Sequence, residues 1–263
     1  MIDFGGWDII DCNTFTGHWP FRRLRHNDTA GLLSMMDKFG VDKACVASAS
    51  AILYKDCQAG NEELFEATHV APGRFRLYAT LNPAYAGWER DLHDCAEMGF
   101  MALRLYPYYH GYKLDDDRAG EIIEAATALG MPVSIPCRVV DVRQRHWMDT
   151  NENLTPEAIV QAAENHPDGV FIMSEAIVNA PAEGPLWRRL QNCNVYIEMS
   201  RMTSVLDKNI KTAVEKIGAD RLLFGTGFPF KSPSPAYLKI AVLDIDEAQK
   251  RQIMAGNTSR LFT

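Results

Sequence analysis

Polar and charged side chains that can bind an anion or move a proton follow a series of short apolar runs. They are Asp11, Asn13 and His18 after the first run, Arg104, Tyr106 and His110 after the fourth, Arg138 after the fifth, Glu175 after the sixth, Glu198 after the seventh and Thr226 after the eighth. Arginine binds carboxylates through paired hydrogen bonds, and histidine or a carboxylate can transfer a proton. If folding brings the run ends together, these residues form a site for a small anionic substrate.

Several of these residues also have a structural interpretation. Asp11 could cap the turn that it begins, and Arg104 could form a buried ion pair with Glu198, because a paired buried charge costs less than a lone one. The aromatic run from Tyr108 to His110 could line a lid. The grouping at run ends, more than any single residue, favours a functional site.

The apolar runs alternate with longer segments of helical spacing. The predicted strands are 7–13, 43–48, 75–81, 100–106, 132–136, 169–174, 194–200 and 221–226. The predicted helices are 29–39, 58–70, 88–98, 117–129, 156–165, 185–191 and 206–217. Eight strands alternating with helices over about 250 residues are typical of an α/β fold, the (β/α)8 TIM barrel, whose active site lies where the strands end.

An open doubly wound sheet is the alternative architecture. That fold usually places a glycine-rich phosphate loop after its first strand, whereas the run DCNTFTGH at residues 11–18 contains one glycine. The pattern therefore favours the barrel.

The amino-acid composition limits the classes of binding partner and the cellular compartment that we expect for the protein. The formal net charge of -7 argues against a nucleic-acid partner, and no apolar segment approaches the roughly 20 residues of a membrane span. The six cysteines stand singly, with no CxxC pair, which is typical of free thiols. We expect a cytoplasmic protein that binds a small anionic molecule and contacts neither membrane nor nucleic acid.

Two C-terminal motifs carry a family resemblance. The ending IMAGNTSRLF and the run DRLLFGTGFPF resemble the closing motifs of amidohydrolase-related barrel proteins, the amidohydrolase 2 group. Further similarities in APGRFRLYATLNP, GFMALRLYP, MPVSIP and NVYIEMS extend the resemblance over residues 9–262. It implies one amidohydrolase-like barrel domain over residues 1–263.

The resemblance also implies where a metal would bind. In that family a D-x-H-x-H motif after strand one, single histidines after strands five and six, and an aspartate after strand eight hold the metal. The matching positions here hold Asn13, Phe15, Pro136, Ser174-Glu175 and Gly227. A phenyl ring, a proline and a glycine offer no donor to a transition metal. We therefore expect no metal, no other cofactor, and no hydrolysis by metal-activated water.

Two classes of function remain. The first is a metal-independent enzyme, a lactonase-like hydrolase or a lyase of a small carboxylate-bearing substrate; the resemblance permits it, because some lactonases of small dicarboxylic acids in the family work without metal. In this hypothesis Arg104 stabilises developing negative charge and Glu175 or His110 moves protons. The predicted substrate-binding residues are Asn13, His18, Tyr106, Arg138, Glu198 and Thr226. Burial would raise the pKa of Glu175 or Glu198 towards neutrality.

The second class is a catalytically inactive barrel that binds a ligand or regulates an active relative. Loss of every metal ligand, with the fold-bearing motifs retained, is what such a protein would look like. Apolar segments 32–39 and 237–243 could also contribute to a homo-oligomer face, although packing on the barrel explains them equally simply.

Overall fold

The computed structural model describes residues 4–206 and 208–262, and within these ranges eight parallel strands form one sheet. Each strand pairs with the next one in the chain. The strands are β1 (Ile10–Thr16), β2 (Lys43–Ser48), β3 (Phe75–Thr80), β4 (Ala102–Arg104), β5 (Val133–Pro136), β6 (Phe171–Ser174), β7 (Val195–Glu198) and β8 (Leu222–Leu223). The prediction of a TIM barrel is confirmed.

Backbone hydrogen bonds between β1 and the chain after β8 close the sheet. The Cys12 amide donates to the Phe224 carbonyl over 2.9 Å, and the Gly227 amide donates to the Asn13 carbonyl over 2.8 Å. The Phe15 amide donates to the Phe228 carbonyl over 2.8 Å. Closure removes the exposed sheet edges and brings the first and last strand ends side by side.

Helices follow the strands and cover the outside of the barrel. Among the described residues they are α1 (Thr29–Phe39), α2 (Cys57–Thr68), α3 (Trp88–Glu97), α4 (Pro107–His110), α5 (Asp117–Ala128), α6 (Pro156–Asn165), α7 (Pro185–Gln191), α8 (Asn209–Ile217), α9 (Ser234–Val242), α10 (Glu247–Arg251) and α11 (Asn257–Leu261). Their apolar faces pack against outward-facing strand residues such as Val46, Leu103 and Ile197, which are fully buried. None of these helices is long and apolar enough to cross a membrane.

Local signals placed most helix ends correctly. Thr155 caps α6 by accepting a hydrogen bond from the Ala158 amide, and Gly40 ends α1 with a φ of 70°, a left-handed conformation that glycine adopts without strain. The helix predicted over 206–217 begins at Asn209, and Asp207 lies outside the described residues.

The ends of the strands were less predictable. The first strand was predicted to stop at residue 13, but β1 continues to Thr16 because it pairs with β2 as far as Ser48. The fourth and eighth strands are shorter than predicted, with three and two residues. In both places the apolar run of the sequence is longer than the segment whose backbone pairs with a neighbouring strand. A prediction from apolar runs therefore overestimates the strand lengths.

The apolar segments considered for an oligomer face pack mainly on the barrel. Leu32 and Met36 of α1 are fully buried, as is Ile240 of α9. Leu238 and Val242 on α9 are about half exposed. The buried side chains stabilise the barrel of a single chain. The oligomeric state stays a prediction.

Candidate active site

Glu175 lies at the centre of a charged cluster in the mouth of the barrel, meaning the carboxyl-terminal ends of the strands and the loops after them. It follows β6 directly, has a φ of 54°, and is 1% exposed. Lys231 Nζ lies 2.8 Å from its Oε1 and 2.9 Å from its Oε2, and Arg201 Nε donates to Oε2 over 2.5 Å. A left-handed conformation at a non-glycine residue is uncommon and is often associated with functional sites.

The charge state of Glu175 differs from the expectation. Burial by itself would raise the pKa of this carboxyl, but the positive charges of Lys231 and Arg201 outweigh that effect and leave the pKa below its ordinary value. The prediction of a raised pKa at Glu175 is therefore wrong for this state of the protein. The cause is the pair of cations, which the sequence does not place.

Lys231 fills the space beside Gly227. A Cβ atom built on Gly227 would lie 2.7 Å from Lys231 Nζ and 2.6 Å from Glu175 Oε1, closer than real side-chain contacts allow. The Lys231 amide donates to the Gly227 carbonyl over 3.1 Å, so the lysine folds back over the glycine within one turn of chain. The missing side chain at position 227 makes room for an ammonium group.

Asn13 connects four strands across the interior of the barrel. Its Nδ2 donates to Glu175 Oε1 over 2.7 Å and to Glu198 Oε2 over 3.0 Å, while its Oδ1 accepts from Arg104 Nη1 over 3.2 Å. The pairing of β1 with β2 shifts register between Asp11 and Thr14, and such irregularities re-aim side chains. Arg104 and Glu198 therefore meet through the Asn13 amide and not as the direct ion pair considered above.

Arg104 is a fully buried cation held between aromatic rings. Its guanidinium carbon lies 3.8 Å from the Tyr78 ring centroid and 5.3 Å from that of Phe15, and its Nε donates to Ser134 Oγ over 3.1 Å. Arg104 Nη2 and the Tyr106 hydroxyl are both buried, and neither makes a well-aligned hydrogen bond to a described residue, although the two side chains lie close enough to interact with each other. Burial raises the pKa of Tyr106 to about 12, although the charge of Arg104 and the hydrogen bond with it oppose the rise. Buried donors that lack a well-aligned partner are available to a ligand.

Ser200 joins the two glutamates to the lysines. Its Oγ donates to Glu198 Oε2 over 2.9 Å and lies 2.5 Å from Lys231 Nζ, while its carbonyl accepts from Lys239 Nζ. Burial lowers the pKa of Lys239 to about 8, despite the opposing charge of Glu198. Both lysine ammonium groups therefore contact Ser200.

Asp11, near the start of β1, and Thr226, which follows β8, form a separate buried pair. Thr226 Oγ1 donates to Asp11 Oδ2 over 2.6 Å, and the Thr226 and Asn13 amides donate to Asp11 Oδ1 over 3.0 and 3.1 Å. Burial raises the pKa of Asp11 to about 7, although these hydrogen bonds oppose the rise. The carboxyl does cap the backbone, as the structural interpretation held.

The remaining predicted site residues, His110, His18 and Arg138, make no hydrogen bond to Glu175. His110 Nε2 lies 3.0 Å from the Ile52 carbonyl, and burial lowers the pKa of His110 to about 4. His18 is exposed, and its amide donates to Ser50 Oγ over 2.9 Å. Arg138 is half-buried, its Nε has no partner among the described residues, and burial followed by the Arg201 charge lowers its pKa.

Positive charge exceeds negative charge in this part of the mouth. Arg201 also pairs with Asp141 over 3.2 Å. The cationic side chains are Arg104, Arg138, Arg143, Arg201, Lys231 and Lys239, and the carboxyl groups are Asp11, Asp141, Glu175 and Glu198. Six cations against four carboxyl groups leave an excess of two positive charges, which favours an anionic ligand.

The donor set does not fit the metal that the family resemblance implies. In residues 4–206 and 208–262, no three His, Cys, Asp or Glu side chains are grouped to hold a metal ion. Both oxygens of Glu175 already contact Lys231 or Arg201, and position 227 offers no side chain. A dication here would meet an ammonium and a guanidinium, so we derive no chemical step through a metal.

Sequence reasoning missed the cations that define the cluster. Lys231 and Lys239 were not considered, and Arg201 and Ser200 were not predicted as site residues although they follow a strand end. One signal was available: a lysine stands four residues after the glycine that replaces the family aspartate. A side chain of that length can reach back over one turn.

Comparisons with known proteins agree with this architecture. The family model described as Amidohydrolase matches residues 10–263. No curated protein matches the chain in sequence. Solved structures that resemble it include a dihydroxybenzoic acid decarboxylase from a Polaromonas species with bound manganese and 2-nitroresorcinol, at 18% identity, with 97% of this chain and 96% of that chain covered and a TM-score of 0.74.

Two further structures cover almost the whole chain. The 5-carboxyvanillate decarboxylase from Sphingomonas paucimobilis is 14% identical, with 98% of this chain and 99% of that chain covered and a TM-score of 0.75. A probable 2-pyrone-4,6-dicarboxylic acid hydrolase from Acinetobacter baumannii, with citric acid bound, is 13% identical, with 97% and 99% covered and a TM-score of 0.68. At these identities the likeness concerns the fold, and it is the family model, matched from β1 onwards, that shows that the chain belongs to the amidohydrolase family.

Proposed function

We propose that the chain is an enzyme, a lactonase-like hydrolase or a lyase, that acts on a small carboxylate-bearing substrate without a bound metal. The observation that carries this proposal is the contact of the Lys231 ammonium with Glu175 beside Gly227. A fixed ammonium in a buried mouth can stabilise an oxyanion, as a metal does in other enzymes. The excess of positive charge around it supports an anionic substrate.

The residues divide into binding and chemical roles. Arg138 and Arg201 would bind the substrate carboxylate, because a guanidinium matches a carboxylate with two parallel hydrogen bonds. Arg104 Nη2 and the Tyr106 hydroxyl, which lack a well-aligned hydrogen-bond partner, would donate to the reacting carbonyl together with Lys231. Asn13, Glu198 and Thr226 would position the other site residues. His18 would contact the substrate at the outer edge of the mouth.

Proton transfer depends on what substrate binding does to Glu175. While Lys231 and Arg201 pair with it, Glu175 is ionised but weakly basic, since its pKa is low. A bound anion that competes for those two cations would weaken their hold and raise the pKa of Glu175 towards its ordinary value. Glu175 would then accept a proton from an attacking water. His110 is the alternative base, although its Nε2 faces a backbone carbonyl.

The name of one similar protein and the ligand bound in another agree with this substrate class. The Polaromonas protein is a decarboxylase of a dihydroxybenzoic acid, and the Acinetobacter protein holds citric acid. Those are properties of the other proteins, and for this chain they support a proposal about small carboxylates. A cytoplasmic location and pairing with an active relative likewise stay predictions.

A catalytically inactive, ligand-binding barrel is the second candidate, and one observation favours it. Glu175, Lys231, Arg201 and Ser200 satisfy one another, and Glu175 is almost inaccessible. A cluster of this kind can serve as a rigid structural core with no reaction to perform.

The experiment is a turnover screen of carboxylate-bearing lactones, esters and β-keto acids in chelator-treated buffer. Proton release monitors hydrolysis, and loss of the β-keto acid monitors decarboxylation. We expect turnover by the wild type and a loss of about 100-fold or more in kcat for Lys231→Met, the range measured for the removal of one oxyanion donor. The control is Lys43→Met, because Lys43 is the first residue of β2 and lies at the end of that strand away from the mouth. Turnover that appears only after a divalent metal is added would refute metal independence, and no turnover of any substrate would favour the inactive barrel.

A further inference from the structure

A second basic cavity adjoins the cluster through Lys231. It has a volume of about 620 Å³ and lies between segment 22–26, α1 and the loop after β8. Its charged lining consists of Arg22, Arg23, Arg25, Lys38 and Lys231, with His26 beside them. None of its lining residues is an aspartate or a glutamate, although the whole chain has a net charge of -7.

The backbone arrangement of this cavity keeps the cations together. Segment 22–26 packs tightly on α1 at Gly31, where an added Cβ would lie 2.5 Å from His26 Cα, and His26 itself has a φ of 56°. Arg22 Nη2 donates to the Phe230 carbonyl over 2.9 Å, and its Nη1 donates to Gln144 Oε1 over 2.9 Å. Arg22 thus ties the segment to the loop after β8 through neutral acceptors.

Four of these cations, Arg22, Arg23, Arg25 and Lys38, form no ion pair with a carboxylate among the described residues, whereas Lys231 is paired with Glu175. Arg23, Arg25 and Lys38 are exposed, so solvent screens part of their mutual repulsion. Like charges at close range repel, and the repulsion is relieved when an anion binds between them. The wall also contains Ser232 and Ser234, whose hydroxyls can donate hydrogen bonds, at the positive end of the α9 dipole. The volume is in the range of small-molecule sites, roughly 300 to 1,000 Å³.

We propose that this cavity, lined by Arg22, Arg23, Arg25, Lys38 and Lys231, binds an oxyanion group, carboxylate or phosphate, at a second anionic end of the substrate. The inference rests on the proposed function, because Lys231 belongs both to the cavity and to the Glu175 cluster. One end of the substrate would contact the cluster, and the other would contact the arginines of segment 22–26. The substrate would then be a dianion or a more highly charged anion.

Direct binding measurements test the cavity without requiring turnover. Calorimetric titrations at low salt would use inorganic phosphate and tricarballylate, a simple tricarboxylate, as probes. The variant Arg25→Gln/Lys38→Gln removes two cavity charges, and the control Arg90→Gln/Lys43→Gln removes two exposed charges that are not part of the cavity lining. Both variants have the same net charge, so long-range electrostatics is matched.

We expect the cavity variant to weaken binding of at least one probe by about tenfold or more and the control to change it by less than about twofold. If only phosphate binding is weakened, the group that the cavity binds is a phosphate. If only tricarballylate binding is weakened, that group is a carboxylate. Equal weakening in both variants, unchanged binding in the cavity variant, or no binding by the wild type would overturn the inference. If the wild type binds a probe through the cavity but turns over no substrate of the screen, by hydrolysis or by decarboxylation, the cavity proposal stands and the proposed enzyme is refuted.

Discussion

Lys231 Nζ lies 2.7 Å from the place that a Cβ atom on Gly227 would occupy, so the two residues form one structural unit. The glycine supplies the space, and the lysine supplies a cation that contacts Glu175 in that space. An isolated glycine at the end of a barrel strand would suggest a lost function. Together with Lys231, the glycine indicates that a side chain of the protein itself supplies a positive charge in the mouth of the barrel.

The Gly227→Ala variant should reveal this dependence. Both Gly227 and Gly40 have a left-handed φ, 72° and 70°, but an added Cβ at Gly40 meets nothing within 4 Å. Gly40→Ala should therefore cost only the backbone strain, about 1 to 2 kcal/mol, and Gly227→Ala should cost clearly more in denaturant unfolding. Adding Lys231→Ala to Gly227→Ala should recover part of the loss. Equal costs for the two glycine variants would contradict the packing argument.

Asp11 should make the protein less stable as pH rises. Its folded pKa of about 7 lies above its ordinary value of 3.8, so the stability that it contributes is fully present below pH 3.8 and is lost as pH rises towards 7. Asp11→Asn keeps an acceptor for the Thr226 amide and cannot ionise. The free energy of unfolding of this variant, relative to wild type, should rise between pH 4 and 7, by at most about 4 kcal/mol. A difference that does not vary with pH would exclude the shift.

Replacing Asn13 by aspartate should be strongly destabilising near neutral pH. The change removes the Nδ2 donor to Glu175 and Glu198 and places a third carboxylate against them, with an expected cost of about 3 kcal/mol or more. The loss should shrink in acid, where one carboxyl takes up a proton and can donate again. Asn82→Asp, at the end of another strand, is the control. Thermal unfolding of both variants at pH 5 and pH 8 provides the measurement, and a pH-independent loss would count against the network.

His110 should stay neutral through the physiological range. Burial lowers its pKa to about 4 from 6.5, so it contributes stability that is present above pH 6.5 and is lost as pH falls through 4. Nitrogen chemical shifts of the imidazole should show one neutral tautomer with Nε2 protonated from pH 8 down to pH 5.5, because Nε2 faces the Ile52 carbonyl. Titration near pH 6.5 would show that the ring is more solvated than this packing allows.

Metal removal should leave the folded protein unchanged. No described residues form a grouped metal-binding set, and Glu175 is held by two cations. Purified protein should contain well below one equivalent of zinc, manganese or iron, and treatment with a chelator should not change its melting temperature. Stoichiometric metal, or a melting temperature that falls on chelation, would require ligands in an arrangement other than this one.

The sequence alone determined the barrel and showed which residues stand at the positions of the family's metal ligands. Strands and helices produce different spacings of apolar residues along the sequence, and a capping residue such as Thr155 binds an amide a few residues away. Both features depend on residues that are close in sequence, so the sequence reveals them. Asn13, Phe15 and Gly227 were likewise visible as substitutions in motifs of known position.

The tertiary structure decided which charges meet. Glu175, Asn13 and Lys231 are far apart in the chain, and only closure of the barrel between β1 and the segment after β8 brings them within hydrogen-bonding distance. The pKa of Glu175 follows from those contacts and is opposite to the direction that burial alone predicts. Electrostatic interactions depend on separation in space, which sequence spacing does not encode, and so the role of Lys231 appears only in the folded chain.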